Sequence, residues 1–412
     1  MKTVRLAIIG VGGRGFAMLK NNFVNFPNVM FTAICDVYED RIQKAADLIK
    51  EKRGNEPFCT TDYREVLTRD DVDVVYVASS WNTHVEISIA SLYAGKVTAM
   101  EVGGVYDIKE CYDLVRAYEE TKVPFMFMEN CCYNRTELMA TAMARDGLFG
   151  EIVHCVGAYA HDLRSEIGYG NIRNHYRLWH YVHQNYENYP THELGPIAKL
   201  LNINRGNRMV SLVSVASKAR GLAQYVKDQK LDEQDPSLKD LEFAQGDVVT
   251  TVITCENGET ITLNLDTTLP RSYSREFTIR GVKGMYEQRT NTVFLDGDEE
   301  IFDTESFYRK ALGNAASYEE KYMPEVWKNI TADALKYGHG GMDGIMFGEF
   351  LLALTEGREM PVDVYDAAAW MSVSALSARS IAEGGAPQQI PDFTNGAYRT
   401  REPKDVMDLS QK

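Results

Sequence analysis

The residues best suited to chemistry lie in two places. Near the start, Gly10-Val11-Gly12-Gly13-Arg14-Gly15 fits the pattern GxGxxG. Far downstream, Tyr189-Pro190-Thr191-His192 sets a phenol and an imidazole three residues apart, and six of the eight histidines fall between positions 154 and 192. Glycines between an apolar strand and a helix make a tight turn and let a pyrophosphate reach the backbone at the helix N-terminus. Histidine and tyrosine have tunable pKa values and suit proton transfer.

The glycine turn has the right setting. Val4-Arg5-Leu6-Ala7-Ile8-Ile9 precedes it as an apolar strand, and Asp36 stands 21 residues after Gly15 at the end of the next strand. A carboxylate there binds the adenosine ribose diol. Val37 and Tyr38 follow, with no adjacent cation to welcome a 2′-phosphate, which favours NAD over NADP; Arg14 and Arg41 argue the other way. The competing reading is a strand–turn–helix with no ligand, and the agreement of three features weighs against it. Two further strands end in Ser79-Ser80-Trp81-Asn82-Thr83-His84 and Glu101-Val102-Gly103-Gly104. Ligands of such sheets sit at the carboxyl ends of strands. The cofactor set is therefore Gly10, Gly12, Gly13, Arg14, Gly15, Asp36, Ser79, Trp81, His84, Glu101, Val102 and Asn130. Taken singly, His84 reads equally as a helix cap and Glu101 as an ordinary loop acid.

The elements that must hold these residues follow from hydrophobic pattern. Continuously apolar runs at 4–10, 30–36, 72–79, 96–102 and 124–130 read as parallel strands covered on both faces. Helical stretches alternate with them, with Asp62, Thr83 and Asp107 as N-caps. After about residue 150 the texture changes. A strand at 152–160 leads into a long polar, aromatic loop at 161–188, then a helix at 192–203. Strands at 209–217, 248–255, 260–268, 276–281 and 292–295 alternate better, and Glu256-Asn257-Gly258 marks a hairpin. A charged stretch at 228–242 reads as a surface excursion, and helices at 342–356 and 365–383 close the chain. The fold class expected is α/β: an N-terminal Rossmann, doubly wound parallel sheet over 1–130. A C-terminal α+β domain with a large open, mainly antiparallel sheet follows over 131–412.

Composition narrows the partners. The 412 residues are 44% hydrophobic and 25% charged, an ordinary globular mix. A formal net charge of −15 disfavours nucleic acid and anionic membrane surfaces, which call for a basic face. Seven cysteines without regular spacing predict buried free thiols and a reducing compartment. No apolar h-region precedes the first strand and no run matches a membrane span, so the expectation is a cytoplasmic location.

The turn at Trp81 to His84, the Glu101 loop and the glycine motif together resemble the Gfo/Idh/MocA oxidoreductase family over nearly the whole chain. Most members read Glu-Lys-Pro where this chain has Glu101-Val102-Gly103. A narrower set resembles glycoside hydrolase family 109, the NAD-dependent α-N-acetylgalactosaminidase group. It comprises Glu129-Asn130-Cys131-Cys132-Tyr133, Gly157 to Leu163, Tyr189 to His192 with Leu194-Gly195-Pro196, and Leu201 to Gly206. Leu269 to Arg275, His339-Gly340-Gly341-Met342-Asp343 and Val364 to Trp370 complete it. This chain departs from that family's pattern at Glu193, where glycine is usual, and in the histidine-rich stretch 174–183.

The resemblance implies a redox glycosidase with NAD as cofactor: hydride leaves C3 of the sugar, the C2 proton is removed, the aglycone is eliminated, water adds and the hydride returns. That route replaces the carboxylate pair of ordinary glycosidases. His192, Tyr189 and Tyr133 are the catalytic candidates, and a helix N-terminus at His192 favours a neutral imidazole facing the nicotinamide. Arg177, Tyr273, Tyr189, Thr191, His192 and His161 are the substrate-binding candidates, with His339 a weaker one. The bland alternatives are a helix cap for His192, a buried structural ring for Tyr133, a salt bridge for Arg177 and a sheet-packing ring for Tyr273. The implied chemistry needs no metal, and the histidine spacing is irregular, so no metal is expected. The expected partners are a small sugar or glycoside and further copies of the chain, as a dimer or tetramer. Rival functions are a plain NAD-dependent sugar or inositol dehydrogenase and a non-catalytic NAD-binding sensor.

Overall fold

A computed structural model describes residues 3–298 and 311–410. The chain divides into two compact units. Unit 1 comprises Met1–Asn134, Glu325–Ala368 and Asp405–Met407; unit 2 comprises Arg135–Pro324, Ala369–Lys404 and Asp408–Lys412. The single cut near residue 130 read from sequence thus misses two later returns to unit 1. A pattern of local periodicity carries no information about such returns.

Unit 1 holds six parallel strands: β1 (Val4–Ile9), β2 (Val29–Cys35), β3 (Phe58–Thr60), β4 (Val74–Val77), β5 (Val97–Met100) and β6 (Phe125–Phe127). Their spatial order is β3-β2-β1-β4-β5-β6. This order reverses direction between β1 and β4, which opens a crevice at their carboxyl ends. The central strands are buried on both faces; all four residues of β4 are buried. Between them run α1 (Gly13–Asn21), α2 (Glu39–Arg53), α3 (Tyr63–Leu67), α4 (Trp81–Tyr93) and α5 (Ile108–Thr121). Asp62 caps α3 through the Arg64 amide, and Asp107 with Glu110 forms a full capping box on α5. Thr83 is no cap: α4 starts two residues earlier, and the Thr83 hydroxyl turns back to Ser79 Oγ at 2.8 Å. Sequence pattern also misses β3, a three-residue edge strand with no buried position to betray it.

Unit 2 is built on an eight-stranded sheet. Its strands are β7 (Ile152–Ala160), β8 (Met209–Ala216), β9 (Val248–Cys255), β10 (Thr260–Asp266), β11 (Thr278–Gly281), β12 (Gly284–Glu287), β13 (Thr292–Leu295) and β14 (Gln388–Gln389). The order is β13-β12-β11-β7-β10-β9-β8-β14, and every pairing is antiparallel except β7 with β10. The hairpin at Glu256–Gly258 joins β9 to β10, with Gly258 at φ +102° where a side chain would be strained. Strict alternation of buried and unburied residues in β10 leaves one face covered and one open.

Two sequence expectations need correction in this unit. The long loop at 161–188 carries two helices after α6 (Arg135–Arg145): α7 (Arg164–Gly168) and α8 (Arg177–His183). Their five and seven residues are too few to show a helical period. The charged excursion at 228–242 is pinned rather than free on the surface, because Leu231 and Leu238 are buried. The next helix, α9 (Thr191–Leu200), packs against β7. Gly157 permits this: a Cβ there would lie 2.9 Å from Glu193 Cβ and 3.0 Å from Ile197 Cδ1. All seven cysteines are free, six of them buried and Cys59 exposed. Among the described residues no helix is long and apolar enough to cross a membrane.

Candidate functional site

The glycine turn of unit 1 is a cradle in the literal sense. Gly10 has φ +93°, and a Cβ on it would sit 2.5 Å from the Ala78 carbonyl group. A Cβ on Gly15 would sit 1.9 Å from the Gly10 carbonyl oxygen. Gly13, by contrast, faces open space. So two glycines are demanded by backbone packing and one leaves room above the turn. The first turn of α1 has no side-chain cap, so its amides keep their capacity for an anion. Asp36 is buried beside the turn, where its carboxylate accepts the Val11 amide at 2.8 Å and the Tyr38 amide at 3.1 Å. These residues fit a dinucleotide: an uncapped helix start for the pyrophosphate and a fixed carboxylate for the ribose diol.

Four further members of the cofactor set, Arg14, Glu101, Val102 and Asn130, are joined in one hydrogen-bonded network. Arg14 donates through Nε to Glu101 at 2.9 Å and through both terminal nitrogens to Asp343 at 2.7 and 2.9 Å. Burial opposes the Arg14 charge, but Glu101 and then Asp343 hold its pKa well above the usual guanidinium value. Glu101 also accepts the Tyr76 hydroxyl and, at 3.2 Å, the Val102 amide. Asn130 donates to Asp343 Oδ1 at 2.8 Å, and His339 Nδ1 lies 2.9 Å from Asp343 Oδ2. The Asp343 carboxylate is held below the ordinary range by Arg14 and His339, against the effect of its burial. Arg14 thus links Glu101 to Asp343, and Asp343 links Arg14 to Asn130, a role of which its own motif gives no local sign. The same network explains His339, whose backbone has φ +42° in a turn of glycines.

His84 is neither a cap nor exposed. It lies inside α4, buried, with Nε2 donating to the Ser79 carbonyl at 2.9 Å. Burial drives its pKa down to about 4, so the ring is neutral. The Glu101 loop's departure from Glu-Lys-Pro also has a local cause: a Cβ at Gly103 would come within 2.7 Å of the Trp81 ring. Tyr133 is fully buried in unit 1, and its hydroxyl has no hydrogen-bond partner among the described residues. Burial, then Cys132 and Glu349, push its pKa well up. That setting suits the structural reading of Tyr133 better than a proton relay.

Unit 2 gathers the substrate candidates. The rings of Tyr189 and His192 meet edge to face at 4.7 Å, and Tyr159 packs on Tyr189 at 4.7 Å and on His192 at 5.5 Å. His161 lies edge-on to Tyr159 at 5.8 Å and to Tyr273 at 5.1 Å. The Arg177 guanidinium stands over the Tyr189 ring at 5.1 Å and pairs with Glu166 at 3.1 Å. Burial, and then the Arg177 charge, lower the His161 pKa. Thr191 is fully buried, and its hydroxyl has no hydrogen-bond partner among the described residues. All six substrate candidates therefore fall in one cluster built from β7, α8, the start of α9 and the segment after β10.

This geometry also sorts the bland alternatives. His192 is the second residue of α9, whose N-cap is Pro190 with no side-chain cap bond, so His192 is not a cap. Tyr273 is 49% exposed and so is no sheet-packing ring. Arg177 does form the salt bridge, yet the same guanidinium also lies against the phenols. Tyr159 and Glu166 were missed from sequence. Tyr159 was findable, since strand alternation puts it on the face of Gly157 and His161. Glu166 was not, because nothing local links it to Arg177.

Comparison with known proteins agrees with both halves of this description. Residues 4–129 match the profile of the oxidoreductase family with an NAD-binding Rossmann fold. Solved structures share the whole architecture. Levoglucosan dehydrogenase, in complex with NADH and L-sorbose, aligns with TM-score 0.67 and 18% identity, covering 95% of this chain and 100% of that one. The scyllo-inositol dehydrogenase of Lactobacillus casei aligns with TM-score 0.65 and 14% identity, covering 94% and 98%. Fold and cradle thus define an NAD-binding enzyme of the Gfo/Idh/MocA type. Residues 133–400 match the glycosyl hydrolase 109 C-terminal domain. A glycosyl hydrolase family 109 protein of Solibacter usitatus is 37% identical over 97% of this chain and 90% of its own length. An alpha-N-acetylgalactosaminidase of Tannerella forsythia is 36% identical over 97% and 88%. The chain belongs to glycosyl hydrolase family 109.

Proposed function

We propose that this NAD-dependent glycosidase cleaves α-N-acetylgalactosaminides or close relatives of them, with His192 and Tyr189 as its acid–base residues. The observation that carries the reading is the cluster of Tyr189, His192, Tyr159 and Arg177 inside a family 109 domain. Relatives of that family named as alpha-N-acetylgalactosaminidases point to the substrate. The bound dinucleotide supplies reversible hydride removal at a sugar carbon. His192 takes a proton from the sugar, and its edge-to-face contact with Tyr189 fixes the ring's orientation. Tyr189 relays a proton at a sugar hydroxyl, with the Arg177 guanidinium 5.1 Å over its ring. Arg177 holds an acetamido or hydroxyl oxygen by charge-assisted hydrogen bonds. Thr191 offers a buried hydroxyl for a further sugar oxygen.

The deciding experiment incubates the protein with aryl α-glycosides and NAD while following aryl release and NADH absorbance together. Aryl release without NADH build-up is the expected result. Steady NADH accumulation without cleavage would make the protein a dehydrogenase instead. A non-catalytic sensor would show neither signal and would keep its ligand response in His192→Ala and Tyr189→Phe.

The open face of the unit 2 sheet supports self-association. Val156, Thr262, Val252 and Val213 run in register across β7, β10, β9 and β8, and none of them is buried. A row of three valines and a threonine on an open sheet face supports an association surface. We infer that the protein is a homo-oligomer, which light scattering of the purified protein tests.

A further inference from the structure

Resting on the reading of Arg177 as a residue that holds sugar oxygens, we propose that Glu166 sets the charge selectivity of the same site. By balancing the guanidinium it admits neutral sugars and turns away those that carry a carboxylate. Glu166 lies within α7 and Arg177 opens α8, and the two helices lie against each other. Glu166 Oε1 stands 3.1 Å from Arg177 Nε and 3.7 Å from His175 Nε2. The Arg177 side chain is 11% exposed and that of Glu166 40%, so a buried cation is met by an acid that solvent reaches. The neighbouring acid is already committed: Asp162 accepts Arg164 Nε at 2.8 Å and NH2 at 2.7 Å.

Both charges act on the rings of the substrate cluster. Burial opposes the Arg177 charge; Glu166 leads the groups that hold its pKa well above the usual value, followed by Tyr159, Tyr176 and Tyr189. Burial raises the Tyr159 pKa; Arg177 pulls it down and Glu166 pushes it back up. Burial lowers the His161 pKa; Arg177 adds to the fall and Glu166 opposes it. The same rings thus feel the cation and the anion with opposite signs. A guanidinium without its acid takes up a carboxylate through its planar fork. With Glu166 beside it, an incoming carboxylate meets a like charge, whereas a hydroxyl or amide oxygen accepts from the guanidinium without that repulsion. Rejection by a repulsive element is one of the two routes to specificity.

The test measures sugar binding to the NAD-loaded protein by isothermal titration. The neutral probes are galactose and N-acetylgalactosamine. Their charged counterparts are galacturonic acid and N-succinylgalactosamine, which carry a carboxylate at C6 and on the C2 amide. Glu166→Gln keeps the shape and removes the charge. It is expected to tighten at least one charged probe about tenfold or more, the range of one charge-assisted hydrogen bond, while the neutral probes stay within about threefold. The double variant Glu166→Gln/Arg177→Gln is expected to lose that gain. A folded Glu166→Gln protein that binds both charged probes as the parent does overturns the proposal, as does a gain that persists in the double variant. Should Glu166→Gln fail to fold, the parent decides: it must bind each neutral probe about tenfold or more tighter than its charged counterpart, and equal or reversed affinities refute the assignment. Arg177→Gln alone separates this inference from the reading beneath it. If it leaves N-acetylgalactosamine binding unchanged, Arg177 holds no sugar and both fall; if it weakens that binding while Glu166→Gln changes nothing, only the role of Glu166 falls.

Discussion

Removing the Glu137 carboxylate should both destabilise unit 2 and loosen the substrate site. Glu137 lies on α6, and its Oε1 accepts Arg275 Nε at 2.7 Å and pairs with Arg275 NH2 at 2.6 Å. The two side chains are only 2% and 5% exposed. Gln288 also donates to Glu137 Oε1 at 3.0 Å, and Thr136 donates to Oε2 at 2.8 Å. Glu137→Ala would leave the Arg275 charge buried without this partner, at a cost of roughly 3–5 kcal/mol. For a unit of this size that lowers the melting temperature by on the order of 10 °C. Arg275 also donates to the Tyr273 hydroxyl at 2.9 Å, so loosening it should raise KM more than it lowers kcat. Scanning calorimetry and aryl-glycoside kinetics read the two effects. The double variant Glu137→Leu/Arg275→Met should regain part of the stability, because an apolar pair avoids the desolvation cost. It should not regain KM, since replacing Arg275 removes its bond to the Tyr273 hydroxyl. A melting temperature within about 2 °C of the parent for Glu137→Ala would refute the reasoning.

Gly15→Ala should release the dinucleotide, since its Cβ collides with the Gly10 carbonyl; a weakening of NAD binding below about tenfold by titration counts against that. Arg177→Lys should raise KM about tenfold or more with a smaller change in kcat, because a lysine cannot reproduce the planar contact with Tyr189; unchanged kinetics would remove Arg177 from the site. His84 makes stability fall with acid. Below pH 6.5 the unfolded chain takes up a proton at His84 that the folded chain refuses until about pH 4. The loss should reach about 3 kcal/mol at the bottom of that window, and His84→Gln should flatten it in urea titrations run at stepped pH.

Much of this molecule was legible without coordinates, for reasons that differ by element. β1 and β2 and the turn between β1 and α1 declare themselves because parallel strands are apolar throughout and a pyrophosphate turn admits only glycine at fixed places. The hairpin at Glu256–Gly258 and the strand β7 were equally plain, being set by local turn chemistry and by a nine-residue pattern. The short helices α7 and α8 were not, since fewer than two turns give no period to read. Among site residues, Tyr189, His192 and Asp36 were selected from spacing and resemblance, Tyr159 was legible from the alternation of β7 but passed over, and Glu166 had no local signal at all.

Local order in the chain determined the dinucleotide turn, the layered class of each unit, and the residue types available for proton transfer, because each depends on spacings of a few residues. What the sequence could not contain was partnership across long intervals. That Asp343 clamps Arg14 from 329 positions away, that Glu166 answers Arg177, and that Arg275 steadies Tyr273 while bound to Glu137 are consequences of packing. Charges meet according to where the folded backbone puts them, and only three-dimensional closure of the chain decides which carboxylate each arginine finds.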